Sequence, residues 1–447
     1  MLEFVHMNKD NLKISIKTFG CQMNEYDTEL ASGLLLKEGY EVISDEDKAD
    51  VAIFNTCSVR EHAEERVFGR ITRLAFEKRE RGRDLVLGMM GCMSENYKGD
   101  LFKRFPELDF VVGTRHVKDV PRIVKEVVSG KKRLMLLEQE GVGIEFSEFT
   151  QHTSSYHAWV PIMTGCDKVC TFCIVPKTRG AEISKSAEQV IEEVNQLAQR
   201  GYRAVTLLGQ NVNSYGKEFD DDITFPKLLE KLAQIKGMEI ISFTTSHPSD
   251  AIPELFEVMR DNPQITRRFH LPLQSGSDRI LKKMKRHHNM DQYLEKIDQM
   301  RKTIPGVVIT TDIIVGFPGE TEEDFEATKK VLQDVRFHGA YIYKYSARPG
   351  TPAAENYEDD VPLEIKKRRN SELLDLQDRI SVNRSEEMIG SALKVYVEKE
   401  NPKGEGLLGR TWTDKKIVFP GPADLVGQIF DVKINELRNE TFFGEKV

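Results

Sequence analysis

The chain has 447 residues, of which 39% are hydrophobic and 30% are charged, and its formal net charge is -8. This length predicts two to four domains with ample core, and the negative balance excludes a protein that binds nucleic acid through its overall charge. No run of about 18 consecutive apolar residues occurs, and residues 1–11 lack the apolar segment of a signal peptide. We therefore expect a cytoplasmic protein with reduced thiols and no membrane span.

Three apolar runs in the N-terminal part are each followed by a cysteine. The runs cover residues 12–19, 51–54 and 85–90, and the cysteines are Cys21, Cys57 and Cys92. Such runs predict buried parallel strands, and residues 27–37 and 62–78 have the pattern of the intervening helices. Because parallel strands end at one edge of their sheet, the three thiols are expected to meet there. The alternative is that each thiol is a small buried hydrophobe.

The other three cysteines form the compact motif Cys166-x-x-x-Cys170-x-x-Cys173. Three thiolates leave one iron of a [4Fe-4S] cluster open to a small molecule, so the motif predicts a site for chemistry. A structural zinc ion is the competing interpretation, but it requires four closed ligands, and no fourth cysteine or suitably spaced histidine lies nearby in the sequence. Plain core cysteines are the third possibility.

Six apolar runs then alternate with helical patterns. The predicted strands are 158–163, 204–208, 240–244, 269–273, 307–315 and 340–345, and the predicted helices are 186–199, 226–235, 253–260, 290–304 and 322–335. Six such units predict a partial or complete parallel (βα)6 barrel, whose functional groups lie in the loops after the strands. The cysteine triplet follows the first of these strands, which is the position expected for a catalytic cluster.

Polar residues follow three later strands at the same predicted edge. They are Gln210, Asn211, Ser246, Gln274 and Ser275. Amides and hydroxyls form directional hydrogen bonds, so these five residues are candidate contacts to a cofactor. The neighbouring His247 is interpreted as a loop or packing residue, because one histidine without companions at metal-ligand spacing rarely marks a site.

The remainder of the chain predicts a long helix and a small β domain. Residues 363–388 read as an amphipathic helix that carries the basic run 366–369, and a second basic run covers residues 282–288. Each basic run is interpreted as a solvated face or a phosphate contact. Short alternating runs within residues 391–447 predict an all-β domain of a kind that often binds RNA. The predicted fold class is α/β, with an open parallel sheet, a partial barrel and an all-β domain in that order.

The cysteine motifs resemble those of a known family. The triplet, with Phe172 before its last cysteine, is similar to the signature of radical S-adenosylmethionine (radical SAM) enzymes. The surroundings of the three N-terminal cysteines resemble those of the methylthiotransferases, and the C-terminal segment resembles their TRAM domain. The run Phe19-Gly20-Cys21-Gln22-Met23-Asn24 resembles the MiaB-type tRNA enzymes within this family, as does Thr178-Arg179-Gly180. One departure is Lys177, where tyrosine is expected.

The resemblance implies domains and cofactors. It implies an N-terminal methylthiotransferase domain (12–130), a radical SAM domain with a linker helix (152–385) and a TRAM domain (386–447). It also implies two [4Fe-4S] clusters, with S-adenosylmethionine bound at the open iron of one. The catalytic and metal-binding residues would be Cys166, Cys170 and Cys173 for the radical SAM cluster and Cys21, Cys57 and Cys92 for an auxiliary cluster. Gln210, Asn211, Ser246, Gln274 and Ser275 would contact S-adenosylmethionine.

The implied reaction is a methylthiolation of tRNA. A 5′-deoxyadenosyl radical would activate C2 of N6-isopentenyladenosine next to the anticodon, at tRNA position 37. The auxiliary cluster would supply methylated sulfur to give the 2-methylthio derivative, with two S-adenosylmethionine molecules used per turnover. The implied partners are the tRNA anticodon stem-loop, a flavodoxin- or ferredoxin-like electron donor and a sulfur donor, and we expect a monomer.

Two other functions stay open at this point. The first is the same chemistry on threonylcarbamoyl-adenosine in tRNA or on an aspartate of a ribosomal protein. The second is a non-catalytic RNA-binding or electron-transfer iron-sulfur protein, against which stands the missing fourth cysteine in both sets.

Overall fold

The computed structural model describes residues 12–58, 61–137, 148–220 and 222–447, so the expectation made for residues 1–11 lies outside the described residues. An open parallel sheet, an incomplete parallel barrel and a small closed barrel follow one another along the chain. The predicted α/β class and the order of its three parts are confirmed. Within these ranges, no helix combines the length and the apolar character needed to cross a membrane.

The N-terminal sheet has six parallel strands in the order β2-β1-β3-β4-β5-β6. Its elements are β1 (Lys13–Phe19), α1 (Gln22–Lys37), β2 (Glu41–Val42), β3 (Val51–Thr56), α2 (Glu61–Glu80), β4 (Val86–Gly91), α3 (Cys92–Tyr97), α4 (Asp100–Arg104), β5 (Phe110–Val112), α5 (Val120–Val128) and β6 (Leu134–Leu136). Every residue of β3 and β4 is buried. Apolar side chains of α1 and α5 cover one face, and those of α2 and α4 cover the other. This two-sided burial explains the continuous apolar runs of the sequence.

The central region contains six parallel strands in two sheets of three. Its elements are β7 (His157–Pro161), β8 (Met163–Thr164), α6 (Val175–Arg179), β9 (Ile183–Ser184), α7 (Ala187–Gln199), β10 (Ala204–Leu208), α8 (Phe225–Ala233), β11 (Ile240–Thr244), α9 (Pro253–Asp261), β12 (Arg268–His270), α10 (Asp278–Lys283), α11 (Met290–Thr303), β13 (Val308–Val315), α12 (Glu322–Val335), β14 (Gly339–Lys344), α13 (Pro352–Asn356) and α14 (Leu363–Glu386). The orders are β11-β10-β7 and β12-β13-β14. A parallel bridge joins Ile241 of β11 to Ile265, three residues before β12 begins. The described strands thus form a partial barrel, one of the two forms predicted.

Local sequence signals fix where the barrel helices begin. The N-terminal residues of α7, α11 and α12 follow Ser186, Asn289 and Thr321, and each of these side chains takes part in a capping box with the residue three positions later. Such a box satisfies two backbone amides at the start of a helix that have no helical partner. The described strands therefore alternate with helices at the predicted places, and the carboxyl ends of the strands face the loops that carry the candidate residues.

The basic run at residues 366–369 is not a uniform solvated face. The side chains of Lys366 and Arg369 are buried, and their partners are Asp359 at 2.5 Å and Glu320 at 2.7 Å. Lys367 and Arg368 point outward, yet both form ion pairs with carboxylates. Helix periodicity explains the division, because residues three apart lie on one face of a helix. Half of this run therefore anchors α14 to the barrel.

The C-terminal strands form a closed five-stranded barrel in the order β15-β16-β17-β19-β18. Its strands are β15 (Ala392–Glu400), β16 (Leu407–Thr411), β17 (Lys416–Phe419), β18 (Ile429–Arg438) and β19 (Thr441–Lys446). The rings of Tyr396 and Tyr156 stack on each other, and Arg268 pairs with Asp414 at 3.1 Å. Tyr156 directly precedes β7 and Arg268 begins β12, so these contacts fix the small barrel to the amino-terminal ends of central strands, whereas the cysteine triplet follows a carboxyl end.

Candidate active site

The cysteine triplet lies in the loop between β8 and α6, after the first strand of the partial barrel. Backbone hydrogen bonds close the loop, from the amide of Cys166 to the carbonyl of Gly180 (3.1 Å) and from the amide of Cys173 to that of Cys170 (3.0 Å). Gly165 has a φ of 81°, and a Cβ there would lie 1.9 Å from the carbonyl oxygen of Ala181. Glycine is therefore required where the loop begins, and the three thiols are held in one short loop.

Burial determines the protonation of two thiols of this triplet, those of Cys166 and Cys173. It raises the pKa of the Cys166 thiol to about 11 and that of Cys173 to about 12, and the neighbouring Cys170 contributes in the same direction. Free thiols in this setting would be protonated at neutral pH, so a bound metal must displace protons to gain thiolate ligands. Cysteines of this kind are poor free nucleophiles, so a role of the triplet in nucleophilic catalysis is not favoured.

Three of the five predicted cofactor contacts lie beside the triplet loop or its supports. Gln210 accepts a hydrogen bond from the amide of Gly165 at 2.6 Å. Asn211 donates to Asp250 at 2.7 Å, and Asp250 also pairs with Lys168 of the triplet loop. Ser246 donates to the side-chain oxygen of Asn213, which follows the same strand as Asn211. These residues therefore share one hydrogen-bonded environment with the triplet.

The other two predicted contacts have different surroundings. Gln274 has a φ of 73°, and its backbone bonds with β13. The hydroxyl of Ser275 is fully buried and lies 3.4 Å from that of Thr328 on α12. It also accepts a bond from the amide of Ser277. Ser275 therefore connects the loop to α12, and its predicted role toward the cofactor stays a prediction.

Three residues that the sequence did not assign to a site line the mouth of the partial barrel. Arg286 donates to the sulfur of Cys170 at 3.3 Å and to the carbonyl of Pro272 at 3.0 Å. The rings of His247 and His288 lie 6.2 Å apart. Burial, assisted by Arg286, lowers the pKa of His247 to about 2 and that of His288 to about 3, so both rings are neutral. In the sequence, Arg286 and His288 were part of a basic run, and no signal separated them from the exposed Lys282.

Buried polar atoms without partners show what the mouth of the barrel would accept. Among the described residues, five such side-chain atoms in this region have no hydrogen-bond partner: Oδ1 of Asn211, Nδ2 of Asn213, Nε2 of His247, and both ring nitrogens of His288. Buried polar groups are normally satisfied, so a polar molecule fits this region. S-adenosylmethionine has the amino, carboxylate, hydroxyl and adenine groups that could satisfy both donors and acceptors.

The three N-terminal cysteines also follow the geometry of adjacent strands. Cys21 precedes α1, Cys57 follows β3, and Cys92 is the first residue of α3 directly after β4. Since β1, β3 and β4 are neighbours in the sheet, their carboxyl ends bring the three residues to one edge, as predicted. A hydrogen bond from Cys57 lowers the pKa of Cys21 to about 5, whereas burial raises the pKa of Cys92.

Two asparagine side chains support the edge of the sheet that carries these cysteines. Asn24 of α1 donates to the side-chain oxygen of Asn55 at 3.0 Å, and Asn55 returns a bond to the carbonyl of Asn24 at 2.7 Å. The oxygen of Asn24 lies 3.5 Å from the sulfur of Cys21. Because both asparagines are fully buried, their fixed bonds orient the strand ends that carry the thiols.

Two hydroxyls test whether a cluster fits between these thiols. Ser58 and Ser94 are fully buried beside Cys57 and Cys92, and their hydroxyls have no partner among the described residues. The sulfides of an iron-sulfur cluster are acceptors for such donors. Among the described residues, no group of three or more His, Cys, Asp or Glu side chains has the arrangement that would hold a single metal ion. A cubane takes one thiolate per iron, so its ligands are spaced more widely than those of one ion.

The two cysteine sets lie on opposite sides of one interface. Helix α6, which follows the triplet, packs against α3, which begins with Cys92. At the rim of this interface, Glu64 accepts bonds from Arg348 at 3.1 Å and from the hydroxyl of Tyr97 at 3.3 Å. A nearby cavity of about 370 Å³ is lined by Asn96, Tyr97, Lys98, Gly99, Asp100, Lys103 and Lys177. The arrangement places the two candidate metal centres in domains that meet at this interface, and the cavity beside it carries three lysines and one aspartate.

Three family models match the chain in the order of its structural parts. The Uncharacterized protein family UPF0004 matches residues 13–113, the radical SAM superfamily matches residues 160–332, and the TRAM domain matches residues 386–447. Fold and site therefore define a radical SAM protein with an additional N-terminal cysteine domain.

Curated relatives narrow this class. A tRNA-2-methylthio-N(6)-dimethylallyladenosine synthase of Thermoanaerobacter sp. (strain X514) is 44% identical over 451 residues, which cover 100% of this chain and 95% of the relative. The enzymes of the same name from Protochlamydia amoebophila and Thermotoga petrophila are 41% and 43% identical and cover 97% and 98% of this chain, and 96% and 97% of the relatives. The chain belongs to the family of tRNA-2-methylthio-N(6)-dimethylallyladenosine synthases, and the resemblance seen in the sequence is confirmed.

Solved structures agree on the fold. The radical S-adenosylmethionine methyltransferase TsrM from Kitasatospora setae, with cobalamin and a [4Fe-4S] cluster bound, has a TM-score of 0.55 at 11% identity, over 77% of each chain. The cobalamin-dependent S-adenosylmethionine radical enzyme OxsB has a TM-score of 0.52 at 13% identity, over 84% of this chain and 56% of that one. At such identities the likeness concerns the fold alone.

Proposed function

We propose that the protein converts N6-isopentenyladenosine next to the anticodon of tRNA to its 2-methylthio derivative by radical S-adenosylmethionine chemistry. The observation that carries the proposal is the placement of two three-cysteine sets on opposite sides of one interface, where α6 meets α3. The names of relatives that match the full chain at 41–44% identity support the substrate and do not favour threonylcarbamoyl-adenosine or a ribosomal-protein aspartate.

The proposed cofactors are S-adenosylmethionine and two [4Fe-4S] clusters. Cys166, Cys170 and Cys173 would hold one cluster, and Cys21, Cys57 and Cys92 would hold the other. When bound, these groups supply the electron that releases a 5′-deoxyadenosyl radical and the sulfur that is transferred. The proposed domain limits are residues 12–130, 152–385 and 386–447.

The residues of the chain itself would hold S-adenosylmethionine and exclude water. Gln210 and Asn211 are the strongest candidate contacts, because the first bonds to the triplet loop and the second has an unpartnered buried oxygen. Ser246, Gln274 and Ser275 are further candidates from the sequence. His247 and His288 add neutral ring nitrogens to the same mouth. Enclosure between two domains would protect a radical from solvent.

The target adenosine would enter between the two cysteine sets. A base in a single-stranded anticodon loop can be unstacked at modest cost. The cavity at the interface is lined by Lys98, Lys103 and Lys177, with Asp100 paired to Lys103, and its lysines would contact phosphate groups of the loop. The TRAM domain would contact the tRNA through a local patch. The further partners are a flavodoxin- or ferredoxin-like electron donor and a sulfur donor, and we propose a cytoplasmic monomer.

Iron and sulfide content after anaerobic reconstitution tests the two-cluster arrangement. Six cysteines are present in the chain, so two reciprocal triple variants remove one set each. The wild type should bind about eight irons, and both the Cys21→Ala/Cys57→Ala/Cys92→Ala and the Cys166→Ala/Cys170→Ala/Cys173→Ala variants should bind about four. A wild type with about four irons would contradict the proposal.

Substrate identity requires a separate assay. The reconstituted enzyme would receive anticodon stem-loops that carry N6-isopentenyladenosine, threonylcarbamoyl-adenosine or unmodified adenosine, with the products measured by mass spectrometry. We expect 2-methylthio product from the isopentenyl substrate alone. Modification of the threonylcarbamoyl substrate with equal efficiency would transfer the proposal to the alternative.

A further inference from the structure

Arg179 belongs to the central region, yet its guanidinium group lies within the N-terminal cysteine site. It is the last residue of α6, and its side chain is 4% exposed. Its Nη2 lies 3.0 Å from the carboxylate of Asp27 on α1, and its positive charge acts on the Cys92 thiol, where it opposes the rise in pKa that burial causes. One side chain of the radical SAM domain therefore contacts α1 and belongs to the helix that packs against α3, and these two helices frame the proposed auxiliary cluster.

The backbone around Arg179 is held by other residues. The hydroxyl of Thr114 donates to the carbonyl of Thr178 at 2.9 Å. Arg115 donates to the carbonyls of Arg179 and Ala181 at 2.9 and 3.4 Å. The segment is thus attached to the N-terminal domain without help from the guanidinium group. The pair between Arg179 and Asp27 is therefore not needed to join the two domains.

The charge of Arg179 would act on an anionic cluster held beside it. A buried guanidinium ion cannot lose its proton and requires compensation. Asp27 supplies one negative charge, and its side chain is also buried at 7% exposure. A cubane held by thiolates is itself negative, and its charge increases by one on reduction. Hydrogen bonds and charges near the sulfurs are among the factors that set the reduction potential of such clusters.

We propose that Arg179 is a positioning residue of the auxiliary cluster, beside which it is held by Asp27 and whose reduction potential it raises through its charge. This inference rests on the proposed function, because it requires a cluster on Cys21, Cys57 and Cys92. It also gives the radical SAM domain direct influence on the sulfur-supplying centre. The triplet and Arg179 are six residues apart, counted from Cys173.

The test uses the full chain with the Cys166→Ala/Cys170→Ala/Cys173→Ala background, so that the auxiliary cluster is the remaining one. Its midpoint potential would be measured by potentiometric titration followed by EPR. Arg179→Gln should lower the potential, because a positive charge is lost, and Asp27→Asn should raise it, because a negative charge is lost. Arg179→Lys keeps the charge but not the planar fork of donors and should fall between wild type and Arg179→Gln.

Arg115→Gln is the matched control. It removes a cation from the same interface and the hydrogen bonds to the carbonyls of Arg179 and Ala181. Because the guanidinium group of Arg179 stays in place, the midpoint potential should remain at the background value. Iron content measured on each variant checks loading, and Arg179→Lys provides the comparison if Arg179→Gln does not load.

Each outcome decides the inference. Opposite shifts for Arg179→Gln and Asp27→Asn support it. Equal potentials for the background, Arg179→Gln and Arg179→Lys, or an equal shift in Arg115→Gln, overturn it. If the background variant itself binds no iron, the proposed auxiliary cluster does not exist and the proposed function is contradicted. If the cluster is present but its potential does not change in the Arg179 variants, only the inference about Arg179 is contradicted.

Discussion

The carbonyl oxygen of Phe149 lies against Gly33 so closely that a Cβ at residue 33 would be 1.6 Å away from it. Gly33 is in the middle of α1, the helix that begins after Cys21. The same stretch of chain is fixed to α1 by Glu29, which accepts bonds from the amide and hydroxyl of Thr153 at 2.8 and 2.7 Å. The segment that leads into the central region therefore packs on the helix that frames the N-terminal cysteine site.

Substitution Gly33→Ala is expected to destabilise this contact. Backbone cannot move aside as a flexible side chain can, so we expect a loss of about 1–3 kcal/mol in the free energy of unfolding, as for overpacked sites. Gly69→Ala is the control, because Gly69 lies in α2 with nothing within 4 Å of its Cβ position. Helix propensity alone should make that variant more stable by about 1 kcal/mol. Urea denaturation, with hydrogen exchange over α1, measures both, and equal stability of the two variants would contradict the packing argument.

Arg286 is predicted to support the radical SAM cluster through its bond to the sulfur of Cys170. In Arg286→Gln, the sulfur loses a charged donor, so we expect about 10–100-fold slower formation of 5′-deoxyadenosine, the usual effect of removing an outer partner of a metal ligand. The auxiliary iron should be unaffected. Lys282→Gln, at an exposed position in the same basic run, should retain the wild-type rate. A wild-type rate in Arg286→Gln would show that the bond has no part in the reaction.

The buried pair between Arg369 and Glu320 predicts a large stability effect. Arg369→Met leaves the Glu320 carboxylate buried without its partner, which costs about 3–5 kcal/mol in comparable cases. Lys367→Met, on the exposed side of α14, should change stability by less than about 0.5 kcal/mol. The double variant Arg369→Met/Glu320→Gln should recover much of the loss, because no uncompensated charge remains. Urea denaturation of wild type, Arg369→Met, Glu320→Gln and the double variant measures the coupling, with Lys367→Met as the control, and additive losses would argue against a paired role.

His338 gives the protein a specific dependence on pH. Burial lowers the pKa of His338 from 6.5 to about 4, and the cations of Arg384, Arg301 and Lys415 add to the shift. Its Nδ1 accepts a bond from the amide of Ile309 at 3.1 Å. Between pH 6.5 and 4 the unfolded chain binds more protons than the folded chain, so stability is lost as the pH falls through this range.

We expect His338 to lower the free energy of unfolding by about 2 kcal/mol at pH 5 relative to pH 7.5. His338→Asn keeps an acceptor for the Ile309 amide but does not titrate. The variant should match wild type at pH 7.5 and lose less stability at pH 5, as measured by urea denaturation of the cluster-free protein. Parallel stability curves for the two proteins across this range would exclude the contribution.

Lys177 is predicted to contact a tRNA phosphate. It lines the cavity at the domain interface, where the family resemblance led us to expect tyrosine. Lys177→Tyr should weaken tRNA binding and reduce the slope of log affinity against log salt by about one, as expected for a lost phosphate contact. Lys367→Gln, distant in sequence and paired with Glu364, is the control. An unchanged salt slope in Lys177→Tyr would remove this residue from the tRNA-binding surface.

Regular patterns explain why much of the fold could be predicted from the sequence. The strands observed at Ala204–Leu208 and Ile240–Thr244 have the limits that were predicted, because apolar runs flanked by turn residues report burial directly. The placement of Cys57 and Cys92 at strand ends followed from the same runs. Local periodicity is thus sufficient for elements and for residues at their ends.

Contacts between distant residues could not be predicted in this way. Arg179 meets Asp27 across 152 positions, and Arg286 meets Cys170 across 116. A basic run gives the same local signal whether its members are exposed, as Lys282 is, or buried, as Arg286 is. Only the packing of elements decides which charge faces a thiol, and this information is not contained in the spacing of residues along the chain.

The shortness of the stretch from Cys173 to Arg179 has a consequence for how this protein can vary. Six residues, most of them in α6, would span about 9 Å if helical, and one inserted residue would turn everything after it by about 100°. An insertion there would swing the guanidinium group away from Cys92 even if every cysteine were retained. In this part of the chain, length is therefore constrained as strictly as residue identity, and a relative with a different spacing would need another way to connect its two centres.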